Sequence, residues 1–399
     1  MEAHVSYNFP QIRFDGFTDA WEQRKFGDEF KLSQGLQVPV EGQFAEQLEN
    51  TEQFIRIIDV TQEGEPPRYV YNPTGKGRVK TDDIFFVRYG AVGTIGYGYN
   101  GVIANNLFKA EPLFKACNMF LFQQFSGTDF NKMLKEMSAS TSMPAVNFGA
   151  LNNLTFSIPS YEEQNKIGEY LGQLDNLISL HRCKYEKLQN IKKSMLDKMF
   201  PQNGCLYPEV RFEGFTDAWE QRKFGDEFKL SQGLQVPVEG QFAEQLENTE
   251  QFIRIIDVTQ EGEPPRYVYN PTGKGRVKTD DIFFVRYGAV GTIGYGYNGV
   301  IANNLFKAEP LFKACNMFLF QQFSGTDFNK MLKEMSASTS MPAVNFGALN
   351  NLTFSIPSYE EQNKIGEYLG QLDNLISLHR CKCNTLKRLK KAMLEKMFI

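Results

Sequence analysis

The sequence predicts an α+β protein: two globular mixed α/β domains separated by two long α-helices that pack as an antiparallel coiled coil, with internal pseudo-two-fold symmetry. Three observations predict it. Residues 16–184 recur without one substitution as 214–382, an offset of 198 residues. Within each copy, short β-branched and aromatic runs punctuated by glycine and proline give way to a long proline-free stretch, 160–200 in the first copy. That stretch carries apolar residues in steps of four and three, the seam of a coiled coil. A period this long is not a solenoid repeat, because each copy is large enough to bury its own core.

After an N-terminal tail at 1–12, the first globular domain is expected over 13–159 and its counterpart over 211–357. Arg13-Phe14-Asp15-Gly16-Phe17, continuing to Trp21, mixes aromatics with turn residues and leads into 23–32. Phe54-Ile55-Arg56-Ile57-Ile58-Asp59-Val60 and Asp83-Ile84-Phe85-Phe86-Val87-Arg88-Tyr89 read as strands, with Pro66, Pro67, Pro73, Gly75 and Gly77 as loop signals between them. Helical spacing appears over 113–125 and again over 130–137.

At Pro159 the character changes. Ser160-Tyr161-Glu162-Glu163 fits a capping box, in which the Ser160 hydroxyl accepts from the Glu163 N–H while the glutamate reaches back to the cap. The helix beginning there, 160–200, would be a rod of roughly 60 Å at 1.5 Å per residue. Its seam reads Ile167, Leu171, Leu174, Ile178, His181, Tyr185, Leu188, Lys192, Met195 and Met199. In the second helix, 358–399, it reads Ile365, Leu369, Leu372, Ile376, His379, Cys383, Leu386, Lys390, Met393 and Met397. Helix pairing is assigned to Ile167, Leu171, Leu174, Ile178 and Leu188 against Ile365, Leu369, Leu372, Ile376 and Leu386. Each helix runs from an acidic start (Glu162, Glu163, Glu169, Asp175) to a basic end (Arg182, Lys184, Lys187, Lys192, Lys193, Lys198). Antiparallel packing sets opposite charges side by side, whereas parallel packing opposes like charges. A connector, 201–210, joins the first helix to the second domain.

The composition, 42% hydrophobic and 23% charged, is that of a globular chain and gives no sign of disorder. No run approaches the roughly 18 apolar residues needed to span a bilayer, and the N-terminus lacks the pattern of a signal peptide, so a cytoplasmic protein without membrane contact is expected. Cys117, Cys183, Cys205, Cys315, Cys381 and Cys383 form no CxxC pair and read as reduced thiols.

Catalytic constellations are missing. The three histidines are His4 in the tail and the seam pair His181 and His379, which leaves no triad and no metal cluster. Gly96-Tyr97-Gly98-Tyr99-Asn100-Gly101 matches G-x-G-x-x-G, but Val102-Ile103-Ala104 after it is strand-like rather than the start of a phosphate-binding helix. Pro73-Thr74-Gly75-Lys76-Gly77-Arg78 lacks P-loop spacing. Gly168 and Gly172 would let another helix approach closely. Neither a catalytic residue nor a metal ligand is assigned.

Nucleic-acid contact has more support. Arg68, Lys76, Arg78 and Lys80 lie in a stretch without acids that also holds Tyr69 and Tyr71, a composition suited to phosphates. Arg88 and Tyr89 open a segment carrying Thr94, Tyr97, Tyr99 and Asn105; Arg reads guanine and Asn reads adenine in the major groove. Ser140 and Thr141 add small hydroxyls for backbone contacts. The same candidates recur at Arg266, Lys274, Arg276, Lys278, Arg286, Tyr287, Thr292, Tyr295, Tyr297, Asn303, Ser338 and Thr339. Solvated loops share this composition and a net charge of −4 lends no support, so on the residues alone DNA contact, a protein-binding scaffold and a self-contained enzyme all stand.

Four features together resemble the specificity subunit of type I restriction-modification systems: Arg13-Phe14-x-Gly16-Phe17-x3-Trp21; Asp83-Ile84-x5-Gly90-x2-Gly93; Ser140-Thr141 through to Phe156-x-Ile158-Pro159; and Glu163-Gln164-x-Lys166-Ile167 opening the long helix. The resemblance covers essentially the whole chain, twice. It implies two target-recognition domains alternating with two antiparallel spacer helices, each domain reading half of a bipartite site in double-stranded DNA. It further implies two modification (methyltransferase) subunits docked on the helices, with two restriction subunits able to join. No cofactor is expected in this chain. S-adenosylmethionine belongs to the methyltransferase partner, whose [DNS]-P-P-[YFW] motif is absent here, and ATP and Mg to the restriction partner. Members of that family generally carry two different recognition domains. Identical ones related by an approximate two-fold axis should read a palindromic bipartite site, with half-site centres roughly one helical turn, about 10 bp, apart.

Overall fold

The computed structural model describes residues 9–62, 64–138, 145–146, 148–202, 204–260, 262–336, 343–344 and 346–399. In the first copy the elements run β1 (Glu22–Lys25), α1 (Phe26–Glu29), β2 (Phe30–Gln34), β3 (Thr51–Ile55), α2 (Ile57–Thr61), β4 (Arg68–Tyr71), β5 (Arg78–Val79), β6 (Ile84–Val87), β7 (Ile95–Gly96), β8 (Gly101–Ile103) and β9 (Leu107–Pro112). They continue with α3 (Asn118–Ser126), α4 (Thr128–Ser138), α5 (Phe148–Asn152), β10 (Thr155–Ile158) and the long helix α6 (Tyr161–Met199). The same order recurs in the second copy, from a strand at Glu220–Lys223 to a second long helix at Tyr359–Met397.

Two four-stranded sheets, β2-β9-β6-β7 and β4-β3-β8-β5, carry most of the β-structure, and β1 pairs with β10 in a two-stranded ribbon. All neighbours are antiparallel except β3 and β8, which run parallel with Phe54 opposite Val102. The apolar run Ile84-Phe85-Phe86-Val87 shows how β6 joins two cores. Alternate residues point to opposite faces of a strand, so Ile84 and Phe86 enter the main cluster with Trp21, Phe26, Phe30 and Phe125. Phe85 and Val87 face the other way and enter a smaller cluster with Ile55, Val79, Ile103 and Leu107 from both sheets. The main core is aromatic: Phe26 stacks on Phe30 at 4.3 Å between ring centroids, and Phe125 lies 4.5 Å from Phe130.

Chain contacts divide the protein into two units, Met1–Arg182 with Cys381–Ile399, and Cys183–Arg380. Each long helix is therefore shared. In the first unit, α6 contributes 161–182, and Ile167, Leu171 and Leu174 are buried in the main cluster. The end of the second long helix enters the same cluster through buried Met397, with Leu386, Met393, Leu394 and Phe398 at its margin. Phe398 lies 5.4 Å from Phe120 and 6.1 Å from Trp21 between ring centroids. In the second unit, Met199 and Phe200 take the equivalent places, with Phe200 5.4 Å from Phe318 and 5.9 Å from Trp219.

Within the first unit the two helix segments run antiparallel. Lys390 Nζ reaches Asp175 at 2.6 Å, and the Cys383 thiol faces the Ile178 carbonyl at 3.9 Å, so one number rises as the other falls. Asp175 also accepts from Gln123 Nε2 of α3 at 2.7 Å, tying globular domain and helix pair to one carboxylate. In the second unit Asp373 does the same with Lys192 at 2.5 Å and Gln321 at 2.6 Å. These are acid-start to basic-end contacts, as the charge pattern anticipates.

The start of α6 differs from the local reading. Ser160 Oγ accepts from the Glu163 N–H at 3.3 Å, forming half of the capping box. The Glu163 carboxylate instead takes both arms of the Arg13 guanidinium, at 2.7 and 2.8 Å. A bidentate charged pair is stronger than a bond to one backbone N–H. Next to it, Gln164 Oε1 accepts from the Cys117 N–H at 3.1 Å, capping the approach to α3, while Gln164 Nε2 donates to the Pro159 carbonyl at 3.0 Å. Gly168 and Gly172 lie against α3 and the residue before it: a Cβ on Gly168 would sit 2.9 Å from Cys117 Sγ and 3.0 Å from the Phe120 nitrogen.

Candidate nucleic-acid interface

The candidates from the sequence fall into two neighbourhoods. Arg68 and Arg78 lie on the β4-β3-β8-β5 sheet, opposite Phe54 and Val102 respectively. Lys76 is exposed in the turn joining β4 to β5, whose shape is held by the Asn72 side chain donating to the Lys76 carbonyl at 3.1 Å. Lys80 is exposed just beyond β5, and its backbone N–H donates to Asp83 at 2.8 Å. Arg78 is exposed but occupied: both arms of its guanidinium hold Glu52, at 2.6 and 2.7 Å, and this hydrogen bonding raises its pKa further.

Arg88, Tyr89, Thr94 and Asn105 gather around the ends of β6, β7 and β9. The Val87 N–H donates to the Thr94 carbonyl at 3.0 Å, and the Arg88 N–H to the Asn106 carbonyl at 2.9 Å. Tyr89 makes an isolated bridge to Ala145. The Arg88 guanidinium sits over the Tyr89 ring at 4.8 Å and the Phe148 ring at 5.8 Å. Asn105, between β8 and β9, uses its carbonyl to accept from Gln34 Nε2 at 2.6 Å.

Tyr97 and Tyr99 are held by the fold. Tyr97 stacks on Phe122 at 5.2 Å and donates its hydroxyl to Asp82 at 3.1 Å. Burial, the larger cause, and that carboxylate push its phenol up to about 12. Tyr99 donates to the Asp59 carbonyl at 3.0 Å and meets Phe85 edge-on. The glycine-rich segment between β7 and β8 is strand and turn, as expected: Gly101 has φ +154 and a Cβ there would lie 2.3 Å from the Gln53 carbonyl.

The second copy repeats these placements. Arg276 is held by Glu250, Tyr295 by Asp280, with its phenol raised for the same reasons, and Tyr297 by the Asp257 carbonyl. Arg286 lies over Tyr287 at 4.9 Å and Phe346 at 5.6 Å. Ser140, Thr141, Ser338 and Thr339 lie outside the described residues.

Asn106, not among the candidates from the sequence, stands beside Arg88. Among the described residues its buried side-chain oxygen has no hydrogen-bond partner, nor has Arg88 Nε, and the equivalents Asn304 and Arg286 repeat both features. The signal available was the doublet Asn105-Asn106. Only the strand pairing shows which of the two stands opposite Arg88. Among the described residues no group of three or more His, Cys, Asp or Glu could hold a metal ion, and no helix is long and apolar enough to cross a membrane.

Each copy thus presents basic and aromatic loops on a rigid sheet pair, and the sequence matches the type I restriction modification DNA specificity domain over 19–190 and again over 217–388. The chain belongs to this family. A type I specificity subunit is the DNA-recognising, non-catalytic member of its system, working with DNA and other subunits. This specificity chain is 24% identical over 421 residues to the type I restriction enzyme MjaVIII specificity subunit of Methanocaldococcus jannaschii, covering 99% of this chain and 96% of that protein. It is 23% identical over 371 residues to the putative type I restriction enzyme MjaX specificity subunit of the same organism, covering 85% and 82%. Its fold is that of the type I restriction-modification S subunit from M. genitalium, with a TM-score of 0.72 at 15% identity over 98% of this chain and 99% of that one.

Proposed function

We propose that the two copies each read one half of a bipartite, palindromic site in double-stranded DNA. The observation that carries this reading is the exact recurrence of 16–184 as 214–382 in a DNA specificity family. Identical surfaces accept identical base sequences, and antiparallel pairing of the helix segments favours half-sites on opposite strands. In this reading 13–159 and 211–357 are the recognition domains, 160–200 and 358–399 the spacer helices, and 1–12 and 201–210 the tail and connector. Lys76, Lys80 and Arg68 supply phosphate contacts, and the Arg88 neighbourhood supplies base contacts.

The long helices expose Leu177, Leu180, Leu375 and Leu378 at 43–47% of their full area. Such surplus apolar surface suits the docking of two methyltransferase subunits. Those subunits bring S-adenosylmethionine for adenine methylation; two restriction subunits, with ATP and Mg, join the same cytoplasmic assembly for cleavage. Sequencing of N6-methyladenine in a genome exposed to this chain and its modification subunits tests the reading. Two identical half-sites in inverted order are expected. Dissimilar halves would refute it.

A further inference from the structure

The arginines of the first recognition domain divide into two kinds. Arg13, Arg24, Arg56 and Arg78 each hold a carboxylate, Glu163, Glu22, Asp59 and Glu52 respectively. Arg68 and Arg88 hold none among the described residues, and of the two it is Arg88 that is seated on aromatic rings. Its half-buried guanidinium rests over two aromatic rings, and its buried Nε has no hydrogen-bond partner among them. Rings fix the plane of a guanidinium without consuming its donors. Buried donors left unpaired are costly; this Nε is sealed from solvent, so a partner outside the protein reaches it only when the side chain turns outward.

Asn106 supplies the complement. Val87 stands opposite Leu107 and the Arg88 N–H bonds the Asn106 carbonyl, so Arg88 and Asn106 are cross-strand neighbours, and such neighbours share a face. The Asn106 side-chain oxygen is a buried acceptor without a donor among the described residues. A phosphate, which offers only acceptors, satisfies Arg88 and leaves Asn106 unpaired. Once both side chains turn outward, the major-groove edge of a G·C pair satisfies both: guanine N7 and O6 accept from an arginine fork, and cytosine N4 donates to the amide oxygen.

We infer that Arg88 and Asn106, and identically Arg286 and Asn304, form a specificity-determining pair that reads one G·C base pair in each half-site. This rests on the DNA-reading function proposed above and adds the residues and the base pair. The identical second copy is an in-molecule control.

The test uses the full chain assembled with its methyltransferase subunits, carrying Arg88→Met in the first copy only. Methylation mapping is expected to show one half-site that no longer requires guanine at one position while the other half stays intact. Affinity for the original site should fall about 5- to 150-fold with an unchanged salt slope. Two intact half-sites, or a uniform loss on all sequences with a shallower salt slope, would overturn the assignment. Asn106→Ala provides the second reading if Arg88→Met lowers the melting temperature: it should relax the same base pair, and relaxation of another pair or of none overturns the inference. Lack of any sequence preference in the unmutated complex would instead bring down the parent function, and this assignment with it.

Discussion

Replacing Arg13 by methionine tests what anchors the start of the long helix. The Glu163 side chain is 1% exposed and that of Arg13 14%, and two hydrogen bonds of 2.7 and 2.8 Å join them. Removing the cation leaves a buried carboxylate stripped of its counter-charge. Breaking a buried pair costs about 3–5 kcal/mol, and the partial exposure of Arg13 points to the lower end, about 3 kcal/mol. In a domain of this size each kcal/mol moves the midpoint by about 2–4 °C, so the melting temperature should fall by about 6–12 °C. Thermal and urea denaturation measure this directly. Arg211→Met should behave alike, because Arg211 holds Glu361 with the same geometry in the second copy. The decisive comparison is the double variant R13M/E163M, which buries no charge and should recover most of the loss. A cost below about 1 kcal/mol for R13M, or a double variant no more stable than the single, would refute the account.

Three further outcomes are expected. Gly168→Ala should destabilise by about 1–2 kcal/mol in urea titration, because the contacts its Cβ makes with Cys117 and Phe120 outweigh the roughly 1 kcal/mol helix gain of alanine; a stabilised variant would contradict the close approach of α3. Tyr97 should ionise only near pH 12 in ultraviolet titration of the wild type minus Tyr97→Phe. Since the folded value lies above the free phenol value of 10, its contribution is fully present below pH 10 and is lost as pH rises towards 12, so a titration near 10 would exclude the burial of the phenol together with its hydrogen bond to Asp82. Asp175→Lys should cost about 1–2 kcal/mol by confronting Lys390 and abandoning Gln123, and adding Lys390→Asp should restore about half of it; no recovery would mean the two side chains do not meet.

The long helices were legible because periodicity and the absence of proline are local properties. What their apolar stripe faces was not: Ile167, Leu171 and Leu174 carry the seam spacing of Ile178, yet they are buried among Phe120 and Leu121 of their own domain as well as beside Met397. A stripe records that a face is covered and not by what. The capping box failed by half for a similar reason, since the partner that captured Glu163 lies 150 residues away. Arg78 looked available for phosphate until β3 brought Glu52 beside it. Two adjacent asparagines are indistinguishable without strand register, and only the register sets Asn106 opposite Arg88 while the Asn105 carbonyl takes Gln34. The G-x-G-x-x-G match was rightly rejected, because Gly101-Val102-Ile103 forms β8 and no helix opens there.

The exchange of helix ends has a consequence for biogenesis. The second unit, Cys183–Arg380, is one unbroken stretch of chain, whereas the first needs Cys381–Ile399 to complete its core. A ribosome therefore releases the earlier domain with Trp21 and Phe120 still waiting for Phe398. The later unit draws on one continuous run of chain, whereas the earlier one is sealed only once Cys381–Ile399 has been made. The long loop this sealing must close slows it and leaves the nascent domain open to aggregation until that segment arrives.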